Sequence, residues 1–206
     1  MGAKTFVYER QVEYWTSRQI EEFFLNAGFN IVVYPVEQVT EHYLPADHIF
    51  GVDDDLVKLF GIQYKALYHN SVNHWKLDQH QHNRLVHFPW IYYGLSDLQS
   101  VADGRNSLHY LRILNSAFPY LKKLDVGSLS PHYRWGAFYQ HLQSCQTGRR
   151  IHNISDLREA ISPLQERELN RFTIEITDIF VANFNAKKLV HLSPQLKQRD
   201  ISFNDF

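Results

Sequence analysis

Apolar spacing defines the first elements of the chain. From Thr16 to Ala27, the side chains Ile20, Phe23, Phe24 and Ala27 recur at helical intervals. Thr16 or Ser17 can cap the start and Gly28 supplies a stop, so a helix is predicted over 16–27. Phe29 to Val36 (FNIVVYPV) is rich in β-branched and aromatic residues and reads as a strand. Pro35 near its end marks an edge or a termination. A short strand follows at His48–Val52, then a polar turn at Asp53–Asp55, then the longest strand-like run, Leu56 to Leu67 (LVKLFGIQYKAL). Asp78–Val86 reads as a helix and Phe88–Leu95 (FPWIYYGL) as a buried strand. Beyond Asp103 the pattern predicts helices at Leu108–Leu114, Arg134–Leu142 and Ile154–Ala160, and a strand or helix at Phe172–Phe184. The order helix, strand, strand, strand, helix, strand describes a mixed α/β domain with a central sheet.

Composition narrows the class. The 206 residues are 44% hydrophobic and 15% aromatic, enough for one substantial core, and no repeat or linker divides them. Lys and Arg number 21 against 22 Asp and Glu, so the overall charge gives no direct argument for a nucleic-acid partner. The single cysteine, Cys145, excludes an internal disulfide framework and favours a reducing compartment. The first residues, MGAKTFVYERQ, carry no apolar signal-peptide run, and nowhere do about 18 apolar residues follow one another. A cytoplasmic protein without a membrane span is the expectation.

Chemistry concentrates between Ala46 and Leu67. Asp47 opens one strand, and Gln63 and Lys65 lie on the next, two positions apart and so on the same face. If the strands pair through the Asp53–Asp55 turn, a carboxylate, an amide oxygen and an ammonium gather at one point. A hard divalent cation takes such oxygen ligands, and a lysine beside it can orient or deprotonate water or stabilise charge on a phosphate. Lys65 is flanked by Phe60, Ile62, Tyr64, Ala66 and Leu67, unlike a lysine on a solvent face.

The residues Pro45-Ala46-Asp47 and Gly61-Ile62-Gln63-Tyr64-Lys65, preceded by a glutamate-bearing helix, resemble the PD-(D/E)XK nuclease superfamily in its QxK variant, as found in Mrr-like and transposon-end nucleases. Alanine separates Pro45 from Asp47, and Gln63 stands where the family usually has an acid, which removes one negative charge from the site. The resemblance covers roughly Thr16 to Leu95. It implies a restriction-endonuclease-like fold with a core at about 13–103, and a mostly helical part at about 104–206 of unassigned role. It further implies hydrolysis of phosphodiester bonds with Mg²⁺ or Mn²⁺ held by Asp47, Gln63 and a helix glutamate. For that glutamate Glu21 is chosen, with Glu22 and Glu13 as alternatives. Lys65 would be the catalytic base or charge stabiliser. The implied partner is nucleic acid, most often DNA in restriction, defence or mobile-element systems, and many such enzymes work as homodimers. Because a helix after the catalytic strand commonly lies along the cleft, Gln79, His82 or Arg84 would contact substrate. The alternative function is a nuclease-fold module without activity that binds nucleic acid or partner proteins.

Other candidates carry less. Among twelve histidines, His80 and His82 would diverge by about 200° on a helix and share no metal easily. Asp53, Asp54 and Asp55 lack the spacing, glycine and terminal glutamate of a calcium loop. Basic residues in the second half (Arg105, Lys122, Lys123, Arg134, Arg149, Arg150) interleave with Tyr133, Trp135, Phe138 and Tyr139, a mixture suited to phosphate contact or to a packed helix with solvated charges.

Overall fold

The structure is a computed structural model that describes residues 7–36, 44–54, 56–69, 73–127, 129, 132–152 and 154–160. Helix α1 runs Glu9–Asn26, beginning seven residues before the predicted start. The buried stripe Val12, Thr16, Ile20 and Phe24 steps every four residues. At its start the Tyr8 N–H donates to Gln11 Oε1 at 2.9 Å. Gly28, at φ +84°, turns the chain out of the helix in a conformation that only glycine adopts cheaply.

The central sheet forms next. Strands β1 (Asn30–Pro35), β2 (His48–Asp54) and β3 (Leu56–Lys65) pair antiparallel in sequence order. Pro35 closes the edge strand, as expected, and β2 runs two residues further than predicted. The chain then makes β4 (Tyr68–His69), β5 (Asn73–Lys76) and α2 (Gln79–Leu85) before β6 (Ile91–Ser96) docks parallel to β3. After a 3₁₀ segment (Val101–Tyr110), β7 (Leu111–Asn115) pairs antiparallel with β6. Strand β8 (Lys123–Asp125) completes a three-stranded side sheet in the order β4-β5-β8. Strand β9 (Tyr133–Arg134) extends the central sheet beyond β7, and helix α3 (Trp135–Gln143) follows it. Strand β10 (Arg149–Ile151) pairs with Val57–Leu59 of β3, and α4 spans Ile154–Ala160. A mixed central sheet in the order β1-β2-β3-β6-β7-β9, flanked by helices, is the mixed α/β architecture expected.

Side chains alternate across β3 between two cores. Phe60, Ile62 and Tyr64 join α1 and α3, while Leu59 joins Trp90, Ile91 and Leu85 of α2 on the other face. On β6, Gly94 is required by close approach: a Cβ there would meet Ile62 Cγ2 at 2.5 Å.

The expectation of a mostly helical part after residue 103 is corrected for the described residues. Helices occur at Trp135–Gln143 and Ile154–Ala160, close to the predicted spans, but the predicted helix at Leu108–Leu114 is the end of a 3₁₀ segment and a strand. Leu111 and Ile113 face one core and Leu114 the other, a two-residue period that a short apolar run conceals. Strands β7, β9 and β10 belong to the central sheet, and Trp135, Phe138 and Leu142 of α3 complete the core beneath α1. Phe172–Phe184 lies outside the described residues. Among the described residues, no helix is long and apolar enough to cross a membrane.

Candidate active site at the end of the third strand

Helix α1 lies antiparallel to β3. The Phe24 ring sits 6.2 Å from that of Phe60, and Ser17 Oγ is 3.0 Å from the Tyr64 hydroxyl. The first turn of the helix therefore overhangs the end of the strand. There Lys65 Nζ donates to Glu9 Oε1 at 3.0 Å. Lys65 is only 9% exposed, so its ammonium is held beside the sheet end rather than in open solvent.

Asp47 stands where β2 leaves β3. Its N–H donates to the Ile62 carbonyl at 3.0 Å, while its own carbonyl accepts from Val36 N–H at 2.8 Å. The carboxylate continues the ladder that the backbone abandons. Oδ2 accepts from the Tyr64 N–H at 2.6 Å and Oδ1 from Gln63 Nε2 at 2.8 Å. Gln63 is 1% exposed, and its Oε1 is buried without a hydrogen-bond partner among the described residues. An orphaned amide oxygen beside a carboxylate costs free energy unless something completes it.

A cleft of about 770 Å³ opens between α1 and the β1–β2 edge. Glu9, Glu13, Glu21 and Asp47 line it together with Arg10 and Arg18. His48, next to Asp47, has Nδ1 3.6 Å from Glu13 Oε1. Burial pushes its pKa down to about 4, so the imidazole is neutral at neutral pH. Burial also raises the Tyr64 hydroxyl, which stays protonated against Ser17.

The sequence-derived residues divide clearly. Asp47 and Gln63 are in contact, and Lys65 shares their strand end. Glu21 is exposed on the cleft wall and, among the described residues, bonds to none of the three. Glu22 forms a surface ion pair with Arg18 at 2.9 Å, and Glu13 lies beside His48. The helix acid that reaches Lys65 is Glu9, which the predicted start at Thr16 left outside the helix. The signal was available in the four-residue step from Glu9 through Glu13 to Ser17, all three lining the cleft.

Helix α2 is placed differently from the expectation. Gln79 is exposed at its start and Arg84 partly buried. His82 is a core residue: Nδ1 is 3.2 Å from the Tyr93 hydroxyl and Nε2 3.0 Å from the Phe118 carbonyl. Among the described residues, none from α2 lines the Asp47 cleft. Likewise, no three His, Cys, Asp or Glu side chains among them converge to cage a metal. A cation in the cleft would find the Asp47 carboxylate with Glu9, Glu13 and Glu21 on the facing helix, while the Gln63 amide oxygen beside Asp47 is buried. That set suits Mg²⁺ or Mn²⁺, which keeps water for several of its positions, better than a metal needing an all-protein cage.

Set beside known proteins, the chain matches no family, no curated protein and no solved structure.

Proposed function

We propose that the chain is a metal-dependent nuclease of the PD-(D/E)XK type, hydrolysing phosphodiester bonds in DNA, with Asp47, Gln63, Lys65 and Glu9 as its working residues. The observation that carries the reading is the Asp47–Gln63 contact at 2.8 Å, two positions along β3 from a shielded Lys65 ion-paired to Glu9. Support for a restriction-endonuclease-like fold comes from the element order, with α1, a three-stranded antiparallel meander, then α2 and a strand parallel to the third.

Asp47 and the orphaned Gln63 Oε1 are the groups that would hold a divalent cation. Bound there, the cation would polarise the scissile phosphate and acidify an attacking water. The protein's own contribution is positional. Glu9 fixes the Lys65 ammonium, which orients the water and stabilises charge developing on the phosphate. Asp47 and Gln63 are positioned by their mutual hydrogen bond and by the Tyr64 N–H of the sheet backbone.

A second reading has its own observation. Asp47 already accepts from Tyr64 N–H and Gln63 Nε2, which is a sufficient structural reason for an aspartate where β2 departs. On that reading the chain is a nuclease-fold module that binds nucleic acid or partner proteins without cutting.

The deciding experiment incubates the purified protein with supercoiled, linear and single-stranded DNA and with RNA, with Mg²⁺, Mn²⁺ or chelator. Cleavage that needs metal and disappears in Lys65→Ala is expected. Metal-dependent cleavage retained by Lys65→Ala removes this site from the chemistry, and calorimetry showing no metal uptake with intact DNA affinity favours the module.

A further inference from the structure

The register of the central sheet aligns residues that are far apart in sequence. Lys65 on β3 is the partner of Leu95 on β6, Leu95 of Arg112 on β7, and Arg112 of Arg134 on β9. Directly paired residues project to the same face, so three cations occupy one row running across four strands. At about 4.8 Å per strand, Arg112 lies about 10 Å and Arg134 about 14 Å from Lys65 along that row.

The far end of the row is built into a pocket of about 320 Å³, lined by Asp97, Arg112, Arg134, His109, Gln99 and Asn73 among others. Asp97 Oδ2 accepts from Arg112 Nε at 2.9 Å and Nη2 at 2.8 Å, and Arg134 Nη2 approaches it at 3.5 Å. Arg134 also donates through Nη1 to the His109 carbonyl at 3.1 Å, which holds its guanidinium over the pocket. Asp97 is the only acid lining the pocket among the described residues, so two guanidinium groups share one negative charge. One positive charge is left over in a concave site. Each guanidinium has five N–H donors, and those bonds use only part of the set. A fork of donors with surplus positive charge matches a phosphate dianion or diester.

We propose that this pocket is a phosphate subsite for the DNA backbone, seating a phosphate on the same strand as, and close to, the bond presented to Lys65. The proposal rests on the nuclease reading for its choice of DNA as ligand, and on the sheet register for its position. It gives a role to Arg134, whose neighbourhood of mixed basic and aromatic residues the Asp47 cleft does not use.

The test measures binding of a fluorescein-labelled DNA single strand and the matching duplex by anisotropy in chelator, across a salt series. Cleavage in Mn²⁺ and titration with inorganic phosphate alone run beside it. Arg134→Gln should weaken DNA binding by about three- to tenfold and lower the slope of log affinity against log salt by about 0.7–0.9, the loss of one phosphate contact. Arg134→Lys should restore most of that slope, which a merely structural arginine would not do. If wild type binds and cuts DNA while Arg134→Gln leaves affinity and slope unchanged, the subsite is overturned and the nuclease reading stands. If wild type binds but never cuts, and Arg134→Gln still lowers the slope, the subsite stands and the nuclease reading falls. Binding of inorganic phosphate that depends on Arg134, with DNA affinity that does not, overturns the backbone assignment in favour of a free anion. No DNA binding by wild type overturns it outright.

Discussion

Asp47 has two separable duties, and two substitutions divide them. Asp47→Ala removes the acceptor for both the Tyr64 N–H at 2.6 Å and Gln63 Nε2 at 2.8 Å. Tyr64 is 0% and Gln63 1% exposed, so neither orphaned donor has easy access to water. An unsatisfied buried donor costs about 1–3 kcal/mol, so the pair should cost roughly 2–6 kcal/mol. Asp47→Asn is expected to behave differently. Its Oδ1 still accepts from Tyr64 N–H, and its amide can donate to Gln63 Oε1 once the glutamine amide turns over, using an oxygen that has no partner among the described residues. What it loses is the charge on two hydrogen bonds, on the order of 1 kcal/mol. Urea unfolding in chelator reads the difference: with slopes of about 1–3 kcal/mol/M, the alanine midpoint should fall by on the order of 1 M or more and the asparagine midpoint by much less. Both variants should lose metal-dependent cleavage. An alanine variant as stable as wild type, or an asparagine variant as unstable as alanine, refutes the idea that the carboxylate completes the sheet. An asparagine variant that cuts at the wild-type rate takes Asp47 out of the proposed chemistry.

Further substitutions address the surrounding residues. Glu9→Gln should cut cleavage at least tenfold while changing stability by less than about 1 kcal/mol, because the pair it leaves is partly exposed; Glu21→Gln should leave cleavage near wild type, and the reverse pattern would restore Glu21 as the helix acid. Gln63→Glu places a second carboxylate against Asp47 in a site with almost no solvent, so its thermal midpoint should drop in chelator and recover with Mn²⁺ or Mg²⁺ by more than wild type gains. A midpoint indifferent to both cations would place no metal on this pair. His82→Leu should destabilise by about 1–3 kcal/mol, through the unpaired Tyr93 hydroxyl and Phe118 carbonyl, with DNA affinity unchanged. Gly94→Ala should cost about 1–3 kcal/mol or more by denaturation, since its methyl must displace Ile62 and Tyr64.

The order of the main elements through β6 was legible because apolar period and turn residues agree there, but the short strands β4 and β5 between β3 and α2 were not expected. The long run Leu56–Leu67 could only be a strand of that sheet, and Asp47, Gln63 and Lys65 followed from it. The helix acid was not legible for a local reason. Tyr8, Tyr14 and Trp15 interrupt the apolar pattern before Thr16, and a Ser or Thr cap looked better than Tyr8, whose N–H is satisfied instead by the Gln11 side chain. Missing the first two turns left Glu9, the carboxylate that pairs with Lys65, outside the helix and outside the choice. His82 was named as a substrate contact only through the resemblance, which puts a helix along the cleft, whereas Tyr93 and Phe118 give its ring two partners in the core.

The cationic row marks a different limit. Lys65, Arg112 and Arg134 share no sequence spacing that any helix or strand period relates. Their alignment needs β6 to dock parallel to β3, β7 to turn back antiparallel beside it, and two-residue β9 to add to β7. Each pairing fixes one register, and a one-residue slip in any of them would send the next cation to the opposite face. With the slip at β7, Arg112 would leave Asp97 and enter the apolar core that holds Leu111 and Ile113. Burial of those two side chains therefore enforces the register that aligns the row, so the hydrophobic pattern that makes β7 a strand also places the charges. A near-neutral overall composition is compatible with such a concentration, because the acids Asp47, Glu9, Glu13 and Glu21 line the other cleft.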